Sequence, residues 1–282
     1  MLQRLKDLRD ASTSEQMTGL TSLFESPAPS EDSEAYDVFV QLVEGIIADL
    51  SVAIHDKMHF FECLNQWGDP RLSEPSDDAY WVTFQDDGSS YQVGRFLVTI
   101  REWLAFLDNG YDNDEYWSEE GLYWKSKRKV TWQELASSPD SQKYVFDNHP
   151  VVGVSWYEAE AFATCHNARL MDNFERIQMM RGPEKRRYPW GATFKHGYAN
   201  TEDVGLNKTS PVGVFVKDQT PEGIYDLAGN VAEWLGDDLD DDHRNIHPGC
   251  WLRDSISTWA KACEMMAPNA RVAFLGFRLV RD

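Results

Sequence analysis

The feature that most constrains the fold is the pattern of residues 79–282, where short aromatic-rich runs alternate with Gly, Asn, Asp and Pro. Residues 80–84 and 91–98 are predicted to be strands, because apolar and polar side chains alternate there. Asp87 and Gly88 between them are typical of a tight turn. A chain punctuated this often is expected to form short strands joined by loops.

Two helices are predicted within this region. The first covers residues 99–109, and the second covers residues 155–168, with Ser155 as N-cap and Glu158 at the capping-box position. Beyond residue 181 the chain is rich in turn residues and shows little periodicity. The pattern therefore predicts an α+β domain with few helices and long irregular loops.

Residues 1–78 differ in character and are predicted to be an N-terminal helical region with a linker. Leucines at positions 2, 5 and 8 favour a short helix, and the Pro- and Ser-containing stretch 25–33 is typical of a linker. From residue 36 to 58 apolar residues recur every three or four positions, which predicts one long amphipathic helix. That helix either packs on the second domain or mediates oligomerisation, and the pattern does not choose.

A pair of histidines lies on this predicted helix. His55 and His59 are four residues apart, a spacing at which two imidazoles can share a metal ion. Only Glu62 lies nearby as a third ligand, so surface or packed histidines are the favoured interpretation.

Charge and composition limit the possible partners. The chain has 47 acidic and 27 basic residues, a formal net charge of -20. Such a charge repels phosphate backbones and anionic lipids, so neither nucleic acid nor a membrane is expected as a partner. No uncharged stretch approaches the length of a membrane span, and no signal peptide is recognisable at the start.

The four cysteines are Cys63, Cys165, Cys250 and Cys263, and none forms a C-x-x-C motif. They are too few for a disulfide scaffold in a chain of this length, so reduced thiols are expected. A cytoplasmic location is expected because neither a signal peptide nor a membrane segment is recognisable.

Several longer motifs occur in a fixed order over about two thirds of the chain. They are V-G-R-F-L-V-T at 93–99, H-P-V-V-G-V-S-W-Y-E-A at 149–159, R-Y-P-W-G at 187–191, G-I-Y-D-L-A-G-N-V-A-E-W at 223–234 and G-F-R-L-V at 276–280. In this order they resemble the formylglycine-generating enzyme (sulfatase-modifying factor) domain family. The resemblance implies the C-type lectin-like fold of that family.

Two loops carry oxygen ligands of the kind that Ca²⁺ prefers. The loop at residues 230–233 places amide, carbonyl and carboxylate oxygens close together in the sequence, a set suited to Ca²⁺. The resemblance implies structural calcium at this loop and, more loosely, at a second one. The competing interpretation is that these side chains cap turns. The candidate ligands are Asn230, Val231 and Glu233 in the first loop, and Asn200, Thr201 and Asp203 in the second.

The motifs of catalysis are incomplete. Active members of the family hold copper with two C-terminal cysteines, and soft thiolates select Cu(I). Here one alignment puts Cys250 near one of these positions and Ser255 at the other, while Cys263 falls where no catalytic thiol is expected. The iron-dependent sulfoxide synthases of the superfamily need three N-terminal ligands, which His55 and His59 do not supply. No copper is expected, and a noncatalytic protein is favoured.

The last segment, residues 249–280, combines family-like framework residues with interleaved large apolar ones. This arrangement resembles the variable proteins of diversity-generating retroelements, which display a diversified C-terminal segment on this type of fold. The hypothesis is a protein that binds a macromolecular ligand through this segment, with Trp259 and Phe274 as anchors. The candidate contact residues are Cys250, Leu252, Arg253, Asp254, Ile256, Trp259, Met265, Met266, Val272 and Phe274.

Three alternatives stay open. The interleaved residues could pack internally in an inactive paralogue. The chain could also be an oxidoreductase that acts on a peptide thiol through Cys250, with or without Cys263. In the third, it is a scaffold whose N-terminal helix assembles a complex.

Overall fold

A computed structural model describes residues 1–86, 89–137, 146–240 and 242–282. The predicted turn residues Asp87 and Gly88 lie outside the described residues. The chain divides into two compact units, residues 1–73 and 74–282. Among the described residues, no helix is both long enough and apolar enough to cross a membrane.

The first unit is helical. Its core is built from one face of each helix, with Leu5, Leu20, Phe39 and Phe61 almost fully buried. The helix predicted from the early leucines is present as α1. The helices are α1 (Leu2–Asp7), α2 (Thr13–Leu23), α3 (Glu34–Ala48) and α4 (Ile54–Cys63).

The prediction of one long helix over residues 36–58 is wrong, because the chain breaks between α3 and α4. Asp49 leaves the helical conformation, and its Oδ1 accepts hydrogen bonds from the Ser51 backbone N–H at 2.9 Å and the Ser51 hydroxyl at 2.7 Å. Its Oδ2 accepts the Thr13 hydroxyl at 2.6 Å. Short polar side chains that bond the backbone in this way compete with helix continuation.

Sequence reasoning also missed α2, which starts from a capping box between Ser12 and Glu15. The side chains of His55 and His59 are exposed on α4. Among the residues that the structure describes, no three His, Cys, Asp or Glu side chains are grouped to hold a metal.

The second unit contains two four-stranded sheets. The first has the order β1-β2-β8-β3 and is antiparallel throughout. The second has the order β6-β5-β4-β7, in which only the β4–β7 pair is parallel. The strands are β1 (Trp81–Asp86), β2 (Ser89–Gly94), β3 (Arg169–Leu170), β4 (Ala232–Asp240), β5 (His243–His247), β6 (Glu264–Met266), β7 (Leu275–Gly276) and β8 (Leu279–Arg281).

Helices of the second unit pack with these sheets around an aromatic core. Trp103 lies at its centre, stacked on Phe162 with ring centroids 6.0 Å apart and edge-on to Phe277 at 6.4 Å. The helices are α5 (Ile100–Asn109), α6 (Glu119–Lys127), α7 (Trp132–Ala136), α8 (Trp156–Cys165) and α9 (Asn173–Arg181). The α+β class is confirmed.

Both helices predicted in this unit are present with their caps. Thr99 caps α5, and Ser155 with Glu158 forms a capping box at the start of α8. The strand predicted over residues 91–98 ends earlier, at Gly94, because the chain then leaves the sheet and Val98 bonds Phe277 instead.

Glu158 connects the start of α8 with two other parts of the unit. Its Oε2 accepts the Ser155 backbone N–H at 2.8 Å, and its Oε1 accepts the Tyr111 hydroxyl at 2.8 Å and Arg271 Nη2 at 3.2 Å. Glu158 is fully buried, and the Arg271 side chain is 11% exposed. The buried carboxylate thus holds a C-terminal arginine against the central motif.

We predict that Glu158→Gln lowers the free energy of unfolding by about 2–4 kcal/mol, because the amide keeps the cap but leaves Arg271 without its counter-ion. Glu134→Gln is the matched control, since Glu134 occupies the same position of the exposed capping box of α7. It is expected to cost less than about 0.5 kcal/mol. Urea denaturation measures both, and equal losses would contradict the role of the buried charge.

Candidate functional site

The framework of the C-terminal segment is held by close backbone approaches. A Cβ on Gly249 would lie 2.4 Å from the Ala228 carbonyl oxygen, and one on Gly276 would lie 2.4 Å from that of Val151. The Trp251 backbone N–H donates to the carbonyl of residue 230 at 3.0 Å. The segment can therefore follow this path only with glycine at positions 249 and 276.

A buried ionic cluster lies behind this segment. Glu233 on β4 accepts Arg176 Nη2 at 2.8 Å through one carboxylate oxygen and Arg278 Nε at 3.1 Å through the other. All three side chains are at most 2% exposed. Burial alone would raise the pKa of Glu233, but the two guanidinium groups outweigh burial and hold that pKa below its usual value.

The ten candidate contact residues do not share one environment. Four side chains are exposed, five are half-buried and one is fully buried, so they do not form a single surface. The exposed residues are Leu252, Asp254, Ile256 and Met265, the half-buried ones are Arg253, Trp259, Met266, Val272 and Phe274, and the buried one is Cys250.

Trp259 and Phe274 are not free surface anchors. Trp259 packs against a second core cluster, and the Arg187 guanidinium lies 4.3 Å from the centre of its ring. Phe274 packs against the main core. Both aromatic rings are partly shielded from solvent, because the loops that carry them pack against the two core clusters. Removing both should therefore lower stability, whereas the surface hypothesis required them to be dispensable for folding.

The prediction that Cys250 contacts a ligand is also corrected. Cys250 is fully buried in the main core, where a ligand cannot reach it. Burial raises the pKa of its thiol to about 11. Cys263 is exposed, and its Sγ donates to Asn245 Oδ1 at 3.2 Å. The two thiols thus lie in different environments.

Leu252 and Ile256 are the exposed apolar residues of the loop that follows Trp251, with 49% and 67% of their surface accessible. Two contacts tie down the loop between them. Asp254 Oδ1 accepts the Ile256 backbone N–H at 3.0 Å, and Arg253 pairs with Glu264 of β6 at 3.0 Å. The two exposed apolar side chains are therefore available to a ligand.

Met265 points away from that loop. Side chains alternate along a strand, so Met265 lies on the opposite face of β6 from Glu264 and Met266. Met266 packs against the main core, and Met265 is 63% exposed. Met265 therefore belongs to a different surface from the Arg253–Glu264 pair.

Sequence reasoning missed the contribution of α6. Residues 267–269 form one wall of a groove whose other wall is α6, and Tyr157 of α8 lies between them. No motif in residues 119–127 signals this placement, because only the fold brings α6 beside the C-terminal segment.

The first predicted calcium loop has other partners. Asn230 Oδ1 accepts the Ser210 backbone N–H at 2.9 Å, and its Nδ2 donates to the Ser210 carbonyl at 3.1 Å. Glu233 serves the two arginines, and Arg176 Nη2 also donates to the Leu227 carbonyl at 2.5 Å. The positive charge beside Glu233 is a guanidinium, and this set does not fit a second cation. Val231 is buried in the same stretch.

The second loop offers a different situation. Asp203 Oδ2 accepts the Gly197 backbone N–H at 3.3 Å and lies 3.0 Å from His196 Nδ1, while its Oδ1 bonds the Thr201 hydroxyl. Asn200 Oδ1 is buried, and no described residue donates a hydrogen bond to it. An orphaned amide oxygen is compatible with a cation, so calcium at this loop stays a prediction.

The fold and its buried framework define a class of protein: an α+β domain that fixes an irregular C-terminal segment on two small sheets. Residues 83–282 match the family model described as the sulfatase-modifying factor enzyme 1-like domain. The chain belongs to this family, and its C-type lectin-like fold is the one that the sequence motifs imply.

Similar proteins include both enzymes and a protein named as inactive. The chain is 28% identical to hercynine oxygenase of Mycobacterium tuberculosis over 234 residues, covering 70% of this chain and 53% of that protein. It is 32% identical to inactive C-alpha-formylglycine-generating enzyme 2 of Bos taurus over 179 residues, covering 56% and 58%. The chain spans little more than half the length of these relatives. Family membership therefore leaves catalysis open.

Among solved structures, PvdO from Pseudomonas aeruginosa superposes with a TM-score of 0.51 and 20% identity, covering 72% of this chain and 90% of that one. Treponema denticola variable protein 1 superposes with a TM-score of 0.49 and 19% identity, covering 71% and 91%. At these identities the likeness concerns the fold.

We predict that Arg176→Met lowers the free energy of unfolding by about 2–4 kcal/mol, because Glu233 and the Leu227 carbonyl each lose a buried donor. The control is Arg169→Met, which removes a 38% exposed arginine from its pair with Glu175. The control is expected to cost less than about 1 kcal/mol. Thermal and urea denaturation measure the stability of both variants, and equal stability would contradict the prediction.

A second prediction concerns the thiols. At pH 8 a thiol with a pKa of about 11 is ionised to about one part in a thousand. Iodoacetamide should therefore modify exposed Cys263 at least about tenfold faster than buried Cys250 in the native protein, as measured by peptide mass spectrometry. Both should react alike in guanidinium chloride. Rapid native modification of Cys250 would show that the thiol is accessible and would revive the thiol-oxidising alternative.

Proposed function

We propose that this chain is a noncatalytic ligand-binding protein that displays its C-terminal segment to a macromolecular partner, as a diversity-generating retroelement variable protein does. The observation that carries the proposal is the exposure of Leu252 and Ile256 on a loop that Asp254 and the Arg253–Glu264 pair tie down. Apolar side chains preorganised in this way lose little entropy when a partner covers them.

The division of labour within residues 249–280 supports the same proposal. Framework side chains are tied down by specific contacts: Arg278 bonds Glu233 and the carbonyl oxygens of Gly94 and Tyr225. Leu252, Ile256 and Met265, by contrast, expose from 49% to 67% of their surface. An ordinary inactive paralogue would not need large apolar groups at these positions, because exposing them to water costs free energy.

The state of the thiols favours binding over catalysis. Cys250 is buried with a raised pKa, and thiol chemistry requires an accessible thiolate. The oxidoreductase alternative would therefore need Cys250 to leave the core. This is also why the proposal includes no copper.

The test is deep sequencing of codons 249–280 in a clonal culture of the organism that carries the gene, with codons 81–94 as the internal control. We expect substitutions at the interleaved positions, including codons 252, 256 and 265, while Gly249, Trp251 and codons 276–278 stay constant. An invariant segment, with as few changes as the control strands, would refute diversification at this locus.

A further inference from the structure

A groove of about 680 Å³ runs between α6 and the C-terminal segment of the second unit. One side is formed by α6, the other by residues 267–269, and Tyr157 lies between them. The lining residues are Glu119, Glu120, Tyr123, Trp124, Lys127, Tyr157, Asp242, Ala267, Pro268 and Asn269.

Aromatic rings form the floor of this groove and are held in place. Trp124 is stacked on Trp117, with ring centroids 6.3 Å apart, and packs at a tilt against Tyr157, with centroids 5.9 Å apart. Tyr123, one position earlier on α6, is 69% exposed. The groove thus presents aromatic surfaces whose geometry does not depend on a ligand, and such surfaces attract both aliphatic chains and cations.

The opposite wall belongs to the candidate binding segment. Residues 267–269 lie between Met266 and Val272, two of the candidate contact residues, and both of these pack against the main core. The Pro268 carbonyl accepts the Trp156 backbone N–H at 2.9 Å, which holds the wall against the start of α8. This wall of the groove is therefore anchored to the second unit on both sides and at its centre.

The charges at the groove favour a cation. Glu119 and Glu120 are exposed in the first turn of α6, and among the residues described neither forms an ion pair. Lys127, the one cation among the lining residues, lies 5.6 Å from the centre of the Tyr123 ring. Two further cations lie near these rings, and both have polar partners. Lys125 donates to the Tyr111 carbonyl, and Arg271, whose guanidinium lies 5.8 Å from the centre of the Trp124 ring, donates to Glu158.

Asp242 adds a third carboxylate to the lining. Asp242 has an interaction of its own, and Glu119 and Glu120 against Lys127 still leave an excess of negative charge beside the aromatic rings. A cationic group with an aliphatic stem complements both features, because the stem can lie along the rings while the charge stays near the carboxylates.

We propose that this groove takes a lysine side chain of a protein partner, with its aliphatic stem along Tyr157 and Pro268 and its ammonium group near Glu119 and Glu120. This inference rests on the proposed function, because it specifies the chemistry of the partner that would bind the C-terminal segment. It adds α6, which lies outside that segment, as a constant part of the site.

The experiment follows the indole N–H signal of Trp124 by ¹H–¹⁵N NMR, assigned with Trp124→Phe because the chain has 11 tryptophans. The probe is Nα-acetyl-lysine methylamide, and the neutral probe with the same four-carbon stem is Nα-acetyl-norleucine methylamide. The lysine probe should shift the Trp124 signal with an affinity at least about fivefold higher than the norleucine probe, and the difference should shrink at high salt.

The double variant Glu119→Gln/Glu120→Gln should weaken lysine binding about fivefold to tenfold and leave norleucine binding unchanged. Glu184→Gln/Glu222→Gln is the matched control, because it removes the same charge from exposed positions outside the groove. Equal affinity for the two probes, no shift at all, or equal weakening in both double variants would each overturn the lysine site.

Failure here can be told apart from failure of the proposed function. If the codon segment is diversified but lysine does not bind, the lysine site is refuted and the display function stands. If lysine binding depends on Glu119 and Glu120 but the segment is invariant, the lysine site stands and diversification is refuted.

Discussion

The second unit depends on the burial of Glu233 between Arg176 and Arg278. Ionised groups are costly to remove from water, and only mutual pairing with further hydrogen bonds makes their burial tolerable. Here the pairing joins β4, α9 and the end of the chain. Arg278 also bonds the carbonyl oxygens of Gly94 and Tyr225, so the two sheets and the loop between them share one ionic centre.

From this centre outward the C-terminal segment changes from buried framework to exposed loop within a few residues. Arg271 is tied to Glu158 and thereby to the start of α8, and Gly276 sits against the Val151 carbonyl. Earlier in the segment than these fixed points, Leu252 and Ile256 face solvent. The same segment thus contains the residues that the fold cannot lose and those that it does not need.

Much of the fold could be predicted from local signals. The capping box of α8 is a short-range pattern, and the structure confirms it; α5 begins from a capping box of the same kind. The break after α3 could not be read from periodicity, because the Asp49 side chain terminates the helix through bonds to Ser51 and to distant Thr13.

The candidate site was harder to predict, because apolar residues on loops look alike in a sequence whether they face solvent or the core. Trp259 lies under the Arg187 guanidinium, and Cys250 lies inside the core, and neither fact has a local signature. Arg176 has no local signature either, and only the structure shows it as the buried partner of Glu233.

Main-chain hydrogen bonds largely determine the path of the C-terminal segment. Trp251 N–H bonds the carbonyl of residue 230, Glu202 N–H bonds that of Arg253, Gly153 N–H bonds that of Val272, and Ala232 N–H bonds that of Phe274. Amide and carbonyl groups are the same whichever side chain a residue carries. The loop's course is therefore largely independent of the identities of its exposed residues, and one backbone can support many alternative sequences without refolding.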